Sequence, residues 1–404
     1  MQFIEGGVTA AKGFLAGGIH CGIRKNKSKA DLAMIFSKTP CAAAGVYTQN
    51  LVKGAPILVT RKNIADGRAQ AVICNSGNAN TCAPNGVQLA KDTCDIVAKE
   101  LGIRADDVLP SSTGVIGQAM SIEPFAKGIP EAAAKLAADE AGSHDAATAI
   151  MTTDTHPKEI ALEFAVGGKA VRIGAIAKGS GMIHPNMATM LLFMTTDAKV
   201  APAALQKALS TVVPATFNQI SVDGDTSTND TVLLLASGLS GAEIAEGTPD
   251  YDTFVAALTE VAEHLSRELA GDGEGATKLL ECTVTGAPDL ATAAPCPRAS
   301  STPPCSRPLC SARTPTGAAC SAPSATRRAI STSARRRCAS RARPVRSLSA
   351  RTPPTTPTVR TRPRGAQGGR DRHPRGPWQR RCHRQGWGCD LTYDYVKING
   401  DYRT

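Results

Sequence analysis

From His184 to Met194 the chain reads His-Pro-Asn-Met-Ala-Thr-Met-Leu-Leu-Phe-Met, a polar turn-forming segment set directly against an uninterrupted apolar run. A short apolar run bounded by turn residues fits a strand buried on both faces. Met190 to Met194 is therefore expected to be a core strand, with Thr189 at its mouth. Two readings of Thr189 stand side by side. A β-branched residue commonly opens a strand. Alternatively, the chain cleaves itself between Ala188 and Thr189, leaving a threonine whose own α-amine, ordinarily of pKa about 7.7 to 8.0, takes the proton of its hydroxyl. Nucleophile and base then sit in one residue.

The rest of the chain supplies layers for such a strand. Val87 to Leu101 has apolar residues at 87, 90, 94, 97, 98 and 101, one helical face, and Gly102 closes it as the residue past the last turn. Further helices are expected near Ile122 to Ala138, Pro202 to Val212 and Tyr251 to Ala270, and strands at Ile57 to Thr60, Ala71 to Cys74 and Thr231 to Ala236. Ile160 to Val166 and Ala170 to Ala177 form a hairpin across Gly167-Gly168. The expected fold is α/β, a mixed sheet core with flanking helices.

Polar loops punctuate these elements. Asn75 to Asn80 is dense in Asn and Gly and demands left-handed backbone. Leu109 to Gly117 carries small hydroxyl residues and glycines that can present unhindered N–H groups to an oxyanion. Lys178, beside Gly179-Ser180-Gly181, reads either as a solvated surface lysine or as a carboxylate clamp. Phe217 to Asp230 spaces its carboxylates in the manner of a calcium loop, but Thr228 stands where an EF-hand needs glycine, so a hydrogen-bonded loop is expected. In Gly271 to Lys278, three glycines around Glu274 let a charge approach where a bulkier loop could not. The thirteen cysteines form no close C-x-x-C pair, so neither zinc nor dithiol chemistry is supported.

In this order the motifs resemble those of the ornithine acetyltransferase family, the glutamate N-acetyltransferases of arginine biosynthesis. The resemblance runs from about residue 4 to residue 292 and resumes at Trp387 to Thr404. It implies a self-cleaved fold of the DmpA and ornithine-acetyltransferase kind, with residues 1–188 as α chain and the β chain starting at Thr189, the two remaining associated and pairing further as an α2β2 heterotetramer. It implies Thr189 as nucleophile, Thr113 and Gly114 as oxyanion hole, and Thr152, Thr153, Lys178, Thr189, Glu274, Asn399 and Thr404 as substrate-binding residues. The implied substrates are N-acetylornithine and glutamate, with no metal and no cofactor; some members also take acetyl-CoA. A self-processing aminopeptidase or amidase of the related fold would send water to the same acyl-enzyme, and is the alternative enzyme.

The N-terminus lacks the basic start and apolar core of a secretory signal, and no apolar run approaches the roughly 18 residues of a membrane span. A cytoplasmic protein without a membrane partner is expected. The net charge of +11 is unevenly distributed. Residues 293–389 hold 21 arginines, no lysine and one acid, a net of +20, whereas the remainder has 25 basic and 34 acidic residues, a net of −9. The recognisable protein is thus acidic and implies no nucleic-acid partner.

Residues 293–386 are so poor in apolar side chains that disorder is expected. One reading is a basic nucleic-acid-binding tail. The favoured one is translation in a wrong frame, restored near Trp387, because arginine, proline, alanine, serine and cysteine dominate and an enzyme-like pattern returns abruptly, with an alternating strand expected at Leu391 to Ile398. The family's Asp-Pro-Asn-Trp-Gly-Arg motif is absent between the two breaks. On this reading residues 189–292 and 387–404 are the two parts of the β chain, and the chain could equally be one that the frame error has inactivated.

Overall fold

The computed structural model describes residues 1–184, 190–287, 339–340, 356–363 and 382–400. Ala188, Thr189, Thr404 and most of 293–386 lie outside the described residues. Five strands form the first half of the chain: β1 (Gln2–Ile4), β2 (Phe14–Ile19), β3 (Leu32–Tyr47), β4 (Arg68–Asn75) and β5 (Val108–Ser112). The hairpin β6 (Lys158–Val166) and β7 (Lys169–Lys178) follows, then β8 (Leu191–Thr196), the short β9 (Lys199–Val200) and β10 (Ile220–Ser221), and β11 (Thr231–Ala236). Among the described residues nine strands form one sheet in the order β1-β6-β7-β8-β11-β3-β4-β5, with β2 also on β3. The pairs β8–β11 and β4–β5 are parallel and the rest antiparallel, a mixed sheet.

The sheet doubles over on itself along β3. Its register with β4 shifts between Phe36 and Cys41, the kind of irregularity that bends a strand and admits Pro40. Beyond the bend the two halves meet. Ile176, Leu191, Phe193, Leu233 and Leu235 from one half share a buried cluster with Val72, Cys74 and Leu109 from the other. The alternate residues point outward: Leu192, Met194, Val232 and Leu234 pack under helices α5 (Pro202–Val212) and α6 (Pro249–Gly271). Ala71, Ile73 and Val108 pack under α1 (Ala55–Asn63), α2 (Gly86–Leu101) and α3 (Glu123–Ala134). The small-residue helix α4 (Glu140–Ala149) supplies Ala146, Ala147 and Ala149 to the inner cluster. β8 and β11 are buried at every position because both faces are covered, which is why each reads as a continuous apolar run.

The expected hairpin holds, with Gly167 and Gly168 both left-handed at φ 54° and 77°, and Gly102 ends α2 at φ 67°. Three expectations are corrected. Ile57–Thr60 is not a strand but lies in α1, which starts with Pro56 in its first turn; four apolar-rich residues cannot distinguish the two by period alone. Leu391–Ile398 is not a strand either. Helix α7 (Tyr393–Gly400) replaces most of it, the Thr392 hydroxyl accepting the Asp394 N–H at 3.2 Å, and Tyr393 and Val396 are exposed, so the alternating pattern has no face to bury.

Finally, the expected absence of structure across 293–386 does not hold throughout. A second sheet is built on β13 (Lys278–Ala287), which pairs antiparallel with Thr356–Pro363 and with Cys382–Cys389. Thr and Val in 356–363 suit a strand, and β13 offers both edges. Among the described residues the two-residue strand β12 (Glu243–Ile244) pairs only with β9. Among the described residues no helix is long and apolar enough to cross a membrane.

Candidate active site

Because the sheet doubles over, the ends of β4 and β5 face those of β7, β8 and β11. The first pair of ends carries backbone donors. Thr113 N–H donates to Asn75 O at 2.9 Å, and the Asn75 side chain caps its own loop, accepting from Gly77 and Asn78 N–H at 3.2 and 3.0 Å while donating to Ser112 Oγ at 2.7 Å. Gly114 has φ +123°, and a Cβ there would lie 2.6 Å from Gly77 C and 2.7 Å from Asn78 N. Only glycine lets these two backbones approach so closely. Asn80, at φ 50°, supplies the left-handed position expected of the Asn-rich loop.

Asn229, just before β11, clamps the two loops together. Its amide donates to Ala79 O at 2.5 Å and Ser112 O at 3.0 Å, and accepts from the Thr81 and Thr228 hydroxyls, each at 2.6 Å. All four hydrogen-bonding positions of the amide are thereby used.

Lys178 ends β7 and is only 7% exposed, so the solvated-surface reading is overturned. Its ammonium donates to Thr113 Oγ1 at 3.5 Å. Burial drives its pKa down, Asp154 opposes this, and Lys158 adds to it. Facing it, Glu274 is 6% exposed. Its N–H donates to Ser180 O at 2.9 Å, and its carboxylate accepts Asn399 Nδ2 at 2.7 Å. Two of the three glycines expected to admit this charge are constrained: a Cβ on Gly273 would meet Cys389 Sγ at 2.5 Å and one on Gly275 would meet Tyr395 N at 2.7 Å, whereas one on Gly271 would meet nothing within 4 Å. Gly181, one of the small residues beside Lys178, is equally constrained, its Cβ position lying 2.4 Å from the Glu274 carboxylate.

Thr152 and Thr153 are half-buried, and Thr152 N–H donates to Asp154 Oδ2 at 2.9 Å. Thus Thr113, Gly114, Thr152, Thr153, Lys178, Glu274 and Asn399 lie on segments joined by one hydrogen-bonded network. Thr189 and Thr404 lie outside the described residues.

The residues on either side of 185–189 are held. His184 Nδ1 bonds Ser221 Oγ at 2.9 Å, and its carbonyl accepts Thr226 Oγ1 at 2.9 Å. Asp223 receives the N–H groups of Met182, Ile183 and Asp225, the hydrogen-bonded loop expected there. On the far side Met190 O accepts Thr231 N–H at 2.9 Å. Next to it Asp230 is 2% exposed, with Oδ2 lacking a hydrogen-bond partner among the described residues. Burial raises its carboxyl well above the usual range, Ser227, Lys178 and Thr48 only partly countering. Neither Asn229 nor Asp230 was singled out from sequence; two polar residues immediately before a fully apolar strand were the available signal.

The ends of these strands thus bring a buried lysine and a buried glutamate into the same bonded network as the Thr113–Gly114 turn. The sequence profile of the ArgJ family matches residues 15–304. The arginine biosynthesis bifunctional protein ArgJ of Symbiobacterium thermophilum is 44% identical over 426 aligned residues, covering 100% of both chains. The protein of the same name from Lactococcus lactis is 48% identical over 295 residues, 72% of this chain and 73% of the relative. A solved structure of ArgJ from Bacillus halodurans is 42% identical with a TM-score of 0.44, covering 46% of this chain and 97% of that one. The chain belongs to the ArgJ family and is an acyltransferase of arginine biosynthesis.

Proposed function

We propose that this chain transfers acetyl from N-acetylornithine to glutamate through an acetyl-threonine, after cleaving itself between Ala188 and Thr189. The observation that carries the reading is that Lys178 and Glu274 are both buried, Lys178 bonded to Thr113 and within electrostatic reach of Glu274. A lysine and a glutamate so disposed complement the carboxylate and the ammonium of an amino acid.

In this scheme the Thr189 hydroxyl attacks the acetyl carbonyl, and its proton passes to the threonine's own α-amine. Thr113 and Gly114 hold the oxyanion. The tetrahedral adduct collapses, the C–N bond breaks, and the ornithine amine leaves with that proton. Glutamate's amine then attacks the threonine ester, returning the hydroxyl and giving N-acetylglutamate. Thr152, Thr153, Asn399 and Thr404 complete the substrate contacts. No metal or cofactor enters; acetyl-CoA, as a second donor, would load the same threonine.

The reading includes residues 1–188 and 189–404 as associated α and β chains, an α2β2 assembly and a cytoplasmic setting. It also includes the frame-shift origin of 293–386, which rests on the arginine-rich, apolar-poor composition of that stretch. Thr189→Ala is expected to remain one polypeptide and transfer nothing, so two fragments from that variant on a denaturing gel would end the self-processing claim. Protein loaded with labelled acetyl should release it to glutamate or hydroxylamine. Equal release to water would favour an aminopeptidase or amidase.

A further inference from the structure

Beneath the substrate loops lies an ion triad that the reaction scheme does not use. Lys158, at the start of β6, donates from Nζ to Asp154 Oδ1 and to Asp272 Oδ2, both at 2.7 Å, and none of the three side chains is exposed. Burial alone would push the Lys158 pKa down, but the two carboxylates more than offset this and raise it. Burial likewise pushes Asp154 up, and Lys158 followed by Lys178 reverses that, holding it far below the usual carboxylate range. Lys158 and Asp154 therefore stay ionised.

A buried ion triad is weak evidence for stability, since apolar side chains of similar volume often serve as well. Its remaining bonds are more telling, because they run to the loops that hold Lys178 and Glu274. Asp154 Oδ1 also accepts the N–H of Gly179, the residue after Lys178, at 2.7 Å. Asp272 is two residues before Glu274, and its carbonyl accepts Ser180 Oγ at 2.6 Å. Ser180 in turn accepts the Glu274 N–H through its carbonyl. Asp272 is further fixed by Thr155, whose N–H and hydroxyl donate to its two oxygens at 3.0 and 2.5 Å. Lys158 is thus the single cation joining a carboxylate bonded behind one substrate-binding charge to a carboxylate on the loop of the other.

We propose that Lys158 is a positioning residue for substrate recognition: by engaging Asp154 and Asp272 it fixes the spacing of Lys178 and Glu274 and leaves the Lys178 charge available to the substrate carboxylate. Without it, Asp154 loses its nearest ammonium and Lys178 is the cation left acting on it, while Asp272 keeps Thr155 and the neighbouring His156. Lys178 is then drawn to Asp154, and the Glu274 loop loses its tether. The inference rests on the substrate reading given above, in which Lys178 meets a carboxylate.

The test is calorimetric binding of ornithine and of ornithine α-amide to self-processed wild-type, Lys158→Met and Asp272→Asn proteins, with KM and kcat for acetyl transfer measured alongside. Ornithine should bind the methionine variant at least about tenfold more weakly, while the α-amide, which offers Lys178 no charge, changes by less than about twofold. KM should rise with kcat nearly constant. If Lys158→Met does not fold, Asp272→Asn, which keeps the size of the side chain, is expected to show the same acid-over-amide loss at smaller amplitude. Equal weakening of both ligands, or unchanged ornithine affinity in a folded variant, overturns the proposal. Wild-type protein that transfers no acetyl would sink the functional reading instead, while the binding ratio still decides the role of Lys158.

Discussion

Replacing Asn229 with alanine removes all four bonds of the amide that spans the two donor loops. At about 0.5–1.5 kcal/mol net for each bond, the loss is roughly 2–6 kcal/mol. The packing leaves little room for a substitute: a Cβ on Gly54 would already lie 2.5 Å from Asn229 Nδ2. Two buried carbonyls, Ala79 and Ser112, lose their donor, and the Ser112 carbonyl belongs to the peptide that leads into Thr113. Full loss of one oxyanion donor costs about 10²–10³ in kcat; a loosened donor should cost about ten- to a hundredfold, with KM changed little. The assay is a urea titration to establish the folded range, followed by kcat and KM for acetyl transfer within it. Asn229→Asp sharpens the test, because it keeps the acceptor but points a charged oxygen at two carbonyls. The aspartate variant should be worse than the alanine one. A folded alanine variant with kcat within twofold of wild type, or an aspartate variant better than it, would refute the argument.

Gly181→Ala should raise KM for both amino-acid substrates and leave self-cleavage intact, since its Cβ displaces the Glu274 carboxylate; impaired cleavage with normal KM would contradict this. Asp230→Asn should raise the melting temperature at pH 8 relative to its effect at pH 4. The folded-state pKa of Asp230 is raised, so its contribution is full below the unfolded carboxylate value of about 3.9 and is lost as pH rises through the folded value. A substitution equally destabilising at both pH values would show that Asp230 does not carry this dependence. Sequencing the coding DNA should reveal a nucleotide gained or lost near codon 293 and compensated near codon 387, with a Trp-Gly-Arg motif restored by re-reading; an unbroken frame that yields active, self-cleaved protein would sink the frame-shift reading.

Local chemistry was legible in the sequence and long-range pairing was not. The apolar run at 190–194, set against a turn-forming segment, fitted a strand covered on both sides, and β8 begins at Leu191 within it; Gly102 and Gly167-Gly168 could be assigned from backbone freedom. Ile57–Thr60 was ambiguous in principle, because four residues span barely one helical turn. Leu391–Ile398 misled because its alternation implies a buried face that the fold does not provide. The Lys158–Asp272 pair spans 114 residues and the Asn229–Ser112 bond 117. No local pattern encodes such partners, and they exist only because the bend in β3 brings two sets of strand ends together.

The pairing of β7 with β8 has a kinetic meaning. Lys178 stands opposite Leu191 and Ile173 opposite Thr196, with the proposed scissile bond between the two strands. Until that bond breaks, closing this part of the sheet is a unimolecular event whose rate ignores concentration. Afterwards the same ladder joins separate polypeptides, and renaturation from denaturant becomes second order. Maturation on this route is a one-way step: an enzyme that denatures after processing must find its other piece by diffusion, whereas an unprocessed precursor refolds at any dilution.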